Sequence, residues 1–238
     1  MEIAHKHRPF VIAIDGPAGS GKTTTAKALA SELRFIYVDT GAMYRAVAYF
    51  AMQRGVAFTD HSAICALLPD VDIRLERVEG EQHTVLNGEN VEAHIRTQEM
   101  SKAASDISAI SCVREAMVDL QRKAAEGGTG AILEGRDIGT VVFPDSPCKV
   151  FLVADAATRA LRRKLQLEEK GIASDLDTIR REIEERDRND AAREHSPLRK
   201  ADDAIEVETT NTSIDEQVSM ILSLVQNRID QVRKGKSQ

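Results

Sequence analysis

Short apolar runs alternate with longer amphipathic stretches along most of the chain. "FVIAI" (Phe10–Ile14), "FIYV" (Phe35–Val38), "AIL" (Ala131–Leu133), "KVFLV" (Lys149–Val153) and "AIEV" (Ala204–Val207) read as short strands. Most are too apolar for a half-exposed sheet, which predicts strands covered on both faces. The stretches between them carry helical spacing. Leu29 and Leu33 share a face, Gly41 to Gln53 reads as a helix closed by Gly55, and Ile110 to Ala125 as one closed by Gly127. "SIDE" opens the last helix, with Ser213 as N-cap and Glu216 completing a capping box. Strand–helix alternation of this kind predicts an α/β fold with a parallel sheet. One segment breaks the rhythm. Val71–Val91 alternates with period two at Ile73 and Leu75 and carries the turn signals "EG" and "NG", so a small antiparallel sheet is expected as an insertion.

Composition narrows the class. The chain has 238 residues, 42% hydrophobic and 29% charged, as an ordinary globular protein has. Its net charge of -6 argues against a general nucleic-acid binder. No apolar run has the length of a membrane span, and "FVIAI" is too short for a signal-peptide core. Cys65, Cys112 and Cys148 are odd in number and widely spaced, which predicts buried reduced thiols rather than zinc ligands or a disulfide framework. His5 and His7, and the tail "RKGKSQ", are expected to fray. A cytoplasmic protein is expected.

The strongest chemical signal is "GPAGSGKTT" (Gly16, Pro17, Ala18, Gly19, Ser20, Gly21, Lys22, Thr23, Thr24). It satisfies G-x-x-x-x-G-K-[ST] between a strand and a helix, the context of a phosphate-binding loop. Backbone N–H groups and the helix N-terminus face the phosphates, Lys22 supplies a point charge, and Thr23 offers its hydroxyl to Mg²⁺. The chain lacks D-x-x-G and N-K-x-D, which weakens a GTPase reading. Three arginine-bearing segments follow different strands. "DTGAMYR" places Thr40 one turn before Arg45, which suits a small phosphorylated molecule or, equally, a helix cap beside an exposed arginine. "EGRDIGTVVFPD" (Glu134–Asp145) brings Arg136 and Asp137 to the end of a strand, as a ligand pair or an internal ion pair. "EERDRNDAAREHSPL" (Glu184–Leu198) sets Arg186, Asp190 and Arg193 on one helical face. "TRALRRKLQ" adds Arg159, Arg162 and Arg163, either a lid over the donor or a surface helix. Clustered cations suit phosphoryl transfer, where positioning and charge stabilisation dominate.

Taken in order, "IDGPAGSGKTT", "DTGAMYR", "IRTQEMSKAAS", "VREA", "GRDIGTVVFPD" and "ERDRNDAAR…SPL" resemble bacterial cytidylate kinases, nucleoside monophosphate kinases of the P-loop type. The resemblance runs from about Phe10 to the final helix, and Ala191 stands where the family often has serine. It implies transfer of the γ-phosphoryl group of MgATP to CMP or dCMP. It also implies a five-stranded parallel sheet flanked by helices, an NMP-binding insertion holding the small antiparallel sheet, and a short helical lid. The divisions would be a core at about 8–40, 107–158 and 172–234, an NMP-binding subdomain at about 41–106, and a lid at about 159–171. By the same resemblance Ser105, Arg114 and Asp137 would read cytosine, and Arg45 and Arg136 would hold the monophosphate. Arg186 and Asp190 would lie at phosphate and ribose with Arg193 nearby, and Arg159, Arg162 and Arg163 would approach the ATP phosphates. Lys22, Arg136, Arg186 and Arg193 would be the catalytic cations, acting in a monomer with no membrane or nucleic-acid partner.

Overall fold

A computed structural model describes residues 9–78, 81–126 and 128–235. The chain opens with β1 (Phe10–Asp15), the glycine loop and α1 (Lys22–Leu33). Then follow β2 (Ile36–Asp39) and α2 (Thr40–Gln53), whose first turn is capped by Asp39 Oδ1 accepting from the Ala42 N–H at 2.8 Å. The insertion comprises α3 (His61–Leu67), a 3₁₀ turn, β3 (Ile73–Val78), β4 (Glu81–Leu86), β5 (Glu89–Asn90), α4 (Glu92–Ile95) and α5 (Gln98–Ile107). The core resumes with α6 (Ser111–Ala124), β6 (Gly130–Gly135), a π-turn over Ile138–Val142 and β7 (Cys148–Val153). The helical pair α7 (Ala156–Glu169) and α8 (Leu176–Ala192) precedes β8 (Ile205–Glu208) and α9 (Ile214–Gly235).

The five core strands pair in the order β2-β6-β1-β7-β8, all parallel, and the insertion forms a three-stranded antiparallel sheet β3-β4-β5. Both expectations from the hydrophobic pattern hold. Because side chains alternate across a strand, β1 feeds two separate cores. Val11 and Ala13 join Val38, Leu133 and the buried faces of α2, α5 and α6. Ile12 and Ile14 join Ile132, Val150 and Leu152 with Leu29 of α1 and Ile221 and Val225 of α9. Ala160, Leu167, Ile179 and Ile183 form a third cluster between α7 and α8. The Asn87–Gly88 turn has φ of 49° and 85°, the left-handed pair that a tight hairpin needs. Ser213 and Glu216 form the expected capping box.

Three expectations need correction. Cys65 and Cys112 form a disulfide, with Cα atoms 5.9 Å apart, and Cys148 alone is a free buried thiol. The reason is tertiary: α3 packs on α6, bringing together cysteines 47 residues apart. Second, α9 continues through Gly235, so the helix takes in Arg233–Gly235 where a structureless tail was expected; the rest of the tail lies outside the described residues. Third, α8 ends at Ala192, so Arg193 is its C-cap in an extended conformation (φ −59°, ψ 136°) rather than a member of the helical face. His5, His7, Gly127 and the "EG" turn lie outside the described residues.

Candidate active site

The parallel sheet places its strand ends, where α/β proteins bind ligands, around one cleft. The glycine loop follows β1, Asp39 and Thr40 follow β2, and Glu134 to Asp137 span the end of β6. Gly16 has φ 149°, and a Cβ there would meet the Leu152 carbonyl at 2.3 Å, so only glycine lets the loop pass β7. Lys22 heads α1 and donates to the Pro17 carbonyl at 2.6 Å, curling back over the loop. The Ser20 hydroxyl is buried without a partner, while Thr23 and Thr24 are exposed at the start of α1. Arg159 of α7 donates to the Ala18 carbonyl at 3.0 Å and pairs with Asp187 at 2.6 Å, tying the helical pair to the loop. Arg162 instead donates to the Thr209 carbonyl at 2.5 Å and the Thr212 carbonyl at 3.3 Å, beside β8. Burial, and then the nearby Arg45 of α2, lower the pKa of Arg163.

Opposite the loop, Asp190 gathers the arginines. It is 1% exposed, accepts from Arg136 Nε at 2.8 Å, and pairs with Arg193; Ser105 and Arg186 lie at 3.5 and 4.0 Å. Burial would raise its pKa, but Arg136, Arg193 and Arg186 hold it below the ordinary carboxylate value. The cations pay for the crowding in their own protonation. Burial first, then Arg136, lower Lys22 well below its usual value, and the same two causes bring Arg186 down to about 10. The Nε atoms of Arg45 and Arg186 are buried donors that make no hydrogen bond. A group of cations that disfavour one another's charge is stabilised by a polyanion among them.

Deeper in the cleft, Arg114 of α6 and Asp137 are buried, at 4% and 5% exposure, and pair directly. Arg114 also donates to the Ser108 carbonyl at 3.1 Å and lies 5.6 Å from the centre of the Tyr44 ring. The Thr40 hydroxyl donates to the Glu134 carbonyl at 2.6 Å, which leaves its oxygen free only to accept. Ser105, Arg136, Asp190 and Arg193 thus form one set of contacts, and the Arg114–Asp137 pair is joined to it through Ser108, whose hydroxyl donates to the Ser105 carbonyl at 2.9 Å.

Sequence reasoning missed several members of the cleft. Glu134 accepts from the Thr23 hydroxyl at 2.9 Å and from the Tyr37 hydroxyl at 2.5 Å. Burial, then Asp39, raise its pKa. Asp15, at the end of β1, accepts from the N–H groups of Ile138 and Gly139 at 2.9 and 2.8 Å and so anchors the turn after Asp137. Burial pushes Asp15 up to about 6, against those two hydrogen bonds. The available signal was positional: a carboxylate closes each of β1, β2 and β6 or stands one residue from its end. Among the described residues there is no cluster of three acidic, histidine or cysteine ligands. Thr23 and Glu134 nonetheless place two hard oxygen groups side by side, a donor set that fits Mg²⁺ carried on nucleotide phosphates. No helix of the described residues is long and apolar enough to cross a membrane. A concavity of about 410 Å³ on the inserted sheet, lined by Arg74, Glu76 and His83 among others, shares no residue with this cleft.

Comparison with known proteins agrees with the geometry. The family model described as cytidylate kinase matches residues 12–227. The cytidylate kinase of Lactobacillus johnsonii is 48% identical over 217 residues, covering 91% of this chain and 94% of that protein. That of Listeria innocua is 50% identical over 222 residues, covering 93% and 98%. That of Syntrophotalea carbinolica is 47% identical over 222 residues, covering 93% and 94%. With glycine loop, arginine cluster and buried Arg114–Asp137 pair in one cleft, and these matches along nearly its whole length, the chain belongs to the cytidylate kinase family.

Proposed function

We propose that this cleft carries out the family's reaction, phosphorylation of CMP or dCMP by ATP, with the two substrates meeting between Lys22 and the arginine cluster. The observation that carries the reading is geometric: Lys22 curls over the glycine loop while Arg136, Arg193 and Arg186 converge on the buried Asp190, an array of cations that suits two phosphate groups brought together. The donor phosphates lie along Gly16–Thr24, with Lys22 at the transferring group and Arg159 already on the loop; Arg162 and Arg163 would join them only by leaving the Thr209 and Thr212 carbonyls and the Arg45 side. Arg45, Arg136 and Arg186 hold the acceptor phosphate, Asp190 and Arg193 face the ribose side, and Thr40 accepts a hydrogen bond there. An oxygen of the CMP phosphate attacks the γ-phosphorus, and the bond to the β–γ bridging oxygen breaks. ADP leaves with that electron pair. The attacking oxygen is already anionic, so no side chain has to remove a proton. Lys22, Arg136, Arg186 and Arg193 stabilise charge on the transferring group. Thr23 and Glu134 would hold Mg²⁺, which when bound neutralises charge on the β and γ phosphates.

Cytosine selection follows from the Arg114–Asp137 pair. Asp137 can accept from the N4 amino group, and Arg114 can donate to O2 or N3, with Ser105 alongside. Uracil presents a carbonyl where Asp137 needs a proton, and a buried polar site rejects it by leaving groups unpaired. The division into a core, an NMP-binding subdomain at about 41–106 and a lid at about 159–171 is what the resemblance implies, but Ala160 and Leu167 of the lid pack on Ile179 and Ile183 of α8, so α8 would move with the lid rather than with the core. We place the chain in the cytoplasm as a monomer on its composition and the family's metabolic role. ADP release with MgATP and each of CMP, dCMP, UMP, AMP and GMP tests the reading. Release with CMP and dCMP well above the others is the expected result, and equal release with all, or with none, overturns it.

A further inference from the structure

A chain of hydrogen bonds runs from the inserted sheet to the acceptor arginine. The Thr84 N–H on β4 donates to Glu92 Oε2 at 3.0 Å. Arg96, just after α4, donates to Glu92 Oε1 at 2.5 Å and to Asp39 Oδ2 at 2.6 Å. Arg45 donates to the same Asp39 Oδ2 at 3.1 Å. The other oxygen, Oδ1, caps α2 through the Ala42 N–H. Gly41 makes room for this arrangement: a Cβ there would stand 3.1 Å from Arg45 Nη1 and 3.2 Å from Asp39 Oδ1. One buried carboxylate therefore serves two guanidinium groups, and Arg96 holds the shared oxygen more closely.

This asymmetry bears on Arg45. An arginine facing a free carboxylate settles into a two-point pair, the strongest geometry open to it. Asp39 does not offer that geometry here, because Oδ1 faces the Ala42 N–H of the helix cap and Oδ2 is shared with the closer Arg96. Arg45 is left with a single long contact and a buried Nε without a partner. We propose that Arg96 is a positioning residue for the acceptor phosphate: by occupying Asp39 it keeps Arg45 from being captured and leaves it available to the monophosphate. Glu92 holds Arg96 in place and links it to β4, which gives the inserted sheet a part in acceptor binding. The proposal rests on Arg45 being a phosphate ligand.

Steady-state kinetics with varied CMP and varied ATP test it on the full chain. Arg96→Ala should raise KM for CMP roughly tenfold to hundredfold, the range for losing a charged hydrogen bond, with kcat and KM for ATP nearly unchanged. Arg96→Lys, which keeps a cation beside Asp39, should recover much of the loss, and Arg96→Gln serves if the alanine variant fails to fold. The decisive comparison uses two double variants. Asp39→Asn in the Arg96→Ala background still caps α2 but no longer captures Arg45, and should restore KM to within a few-fold of wild type. Glu92→Gln in the same background restores the net charge equally without touching Arg45, and should restore little. Equal rescue by both would reduce Arg96 to a general electrostatic effect, and rescue by neither would make it a direct phosphate ligand or a structural strut; either overturns the proposal, as does an unchanged KM in Arg96→Ala. Arg45→Ala separates the underlying reading: if it leaves KM for CMP unchanged, Arg45 is not a phosphate ligand.

Discussion

Asp190 is the keystone of the arginine cluster, and its removal gives the sharpest test of how the site is held. In Asp190→Ala, Arg136 and Arg193 lose their shared partner, with side-chain exposures of 17% and 9%, and Arg186 loses its nearest carboxylate. None of the three is solvated well enough for screening to compensate. Removing one partner of a buried ion pair costs about 3–5 kcal/mol, because the remaining charge is left buried and uncompensated. That is a large share of a total stability of about 5–15 kcal/mol. At about 2–4 °C per kcal/mol for a chain of this size, the melting temperature should fall by roughly 6–20 °C. Urea titration at pH 7 measures the loss directly. The pH dependence adds a second handle. Asp190 is held below its ordinary pKa in the folded state. Its contribution is therefore full above the unfolded carboxylate value of about 4 and is lost as pH falls through the folded value. The gap between wild type and variant should accordingly close in acid. A loss under about 1 kcal/mol at pH 7, the range of exposed pairs, or a gap that persists unchanged in acid, would refute this account of the cluster.

Three further outcomes are expected. Lys22→Ala should lower kcat by about 10²–10³-fold while the urea midpoint stays near wild type, since the lysine stabilises charge during transfer; near-normal turnover would remove it from the mechanism. Asp137→Asn should reduce the ratio of kcat/KM for CMP over UMP by at least about tenfold, with KM for ATP little changed, and an unaltered ratio would defeat the base-reading assignment. Asp15, raised to about 6, works in the opposite sense to Asp190: its folded form favours the proton, so it contributes most below its unfolded value of 3.8 and loses about 3 kcal/mol as pH rises through 6. Asp15→Asn should flatten the stability profile between pH 4 and 6, and an unchanged slope there would mean that Asp15 titrates at its ordinary value.

The elements most readily read from the sequence were those set by local chemistry. The apolar runs became strands within a residue or two, because a strand covered on both faces has to be continuously apolar. The capping box and the Asn87–Gly88 turn are self-contained over a few residues. What escaped was tertiary in origin. The Cys65–Cys112 bond depends on two helices meeting, and parity counting cannot see that. Arg186, Asp190 and Arg193 were expected on one helical face; the helix stops short of Arg193, and the contact survives because Asp190 itself holds the arginine. Glu134, Asp15 and Asp39 looked like ordinary strand-end acids. Their importance lies in what they accept from across the cleft, at separations from six residues to more than a hundred.

The two cores of β1 bear on how such a chain can vary over time. The layer around Val11 and Ala13 carries α2, α5 and α6, which bear Arg45, Ser105 and Arg114, proposed above to face the acceptor. The layer around Ile12 and Ile14 carries α1, which begins with Lys22, and α9 behind it. Substitutions that repack one layer shift the fit of one substrate and leave the other layer's jigsaw intact. On the proposed assignment, drift on one side of a single sheet could remodel the part of the acceptor pocket borne by α2, α5 and α6 while the helix behind the glycine loop is inherited unchanged on the other.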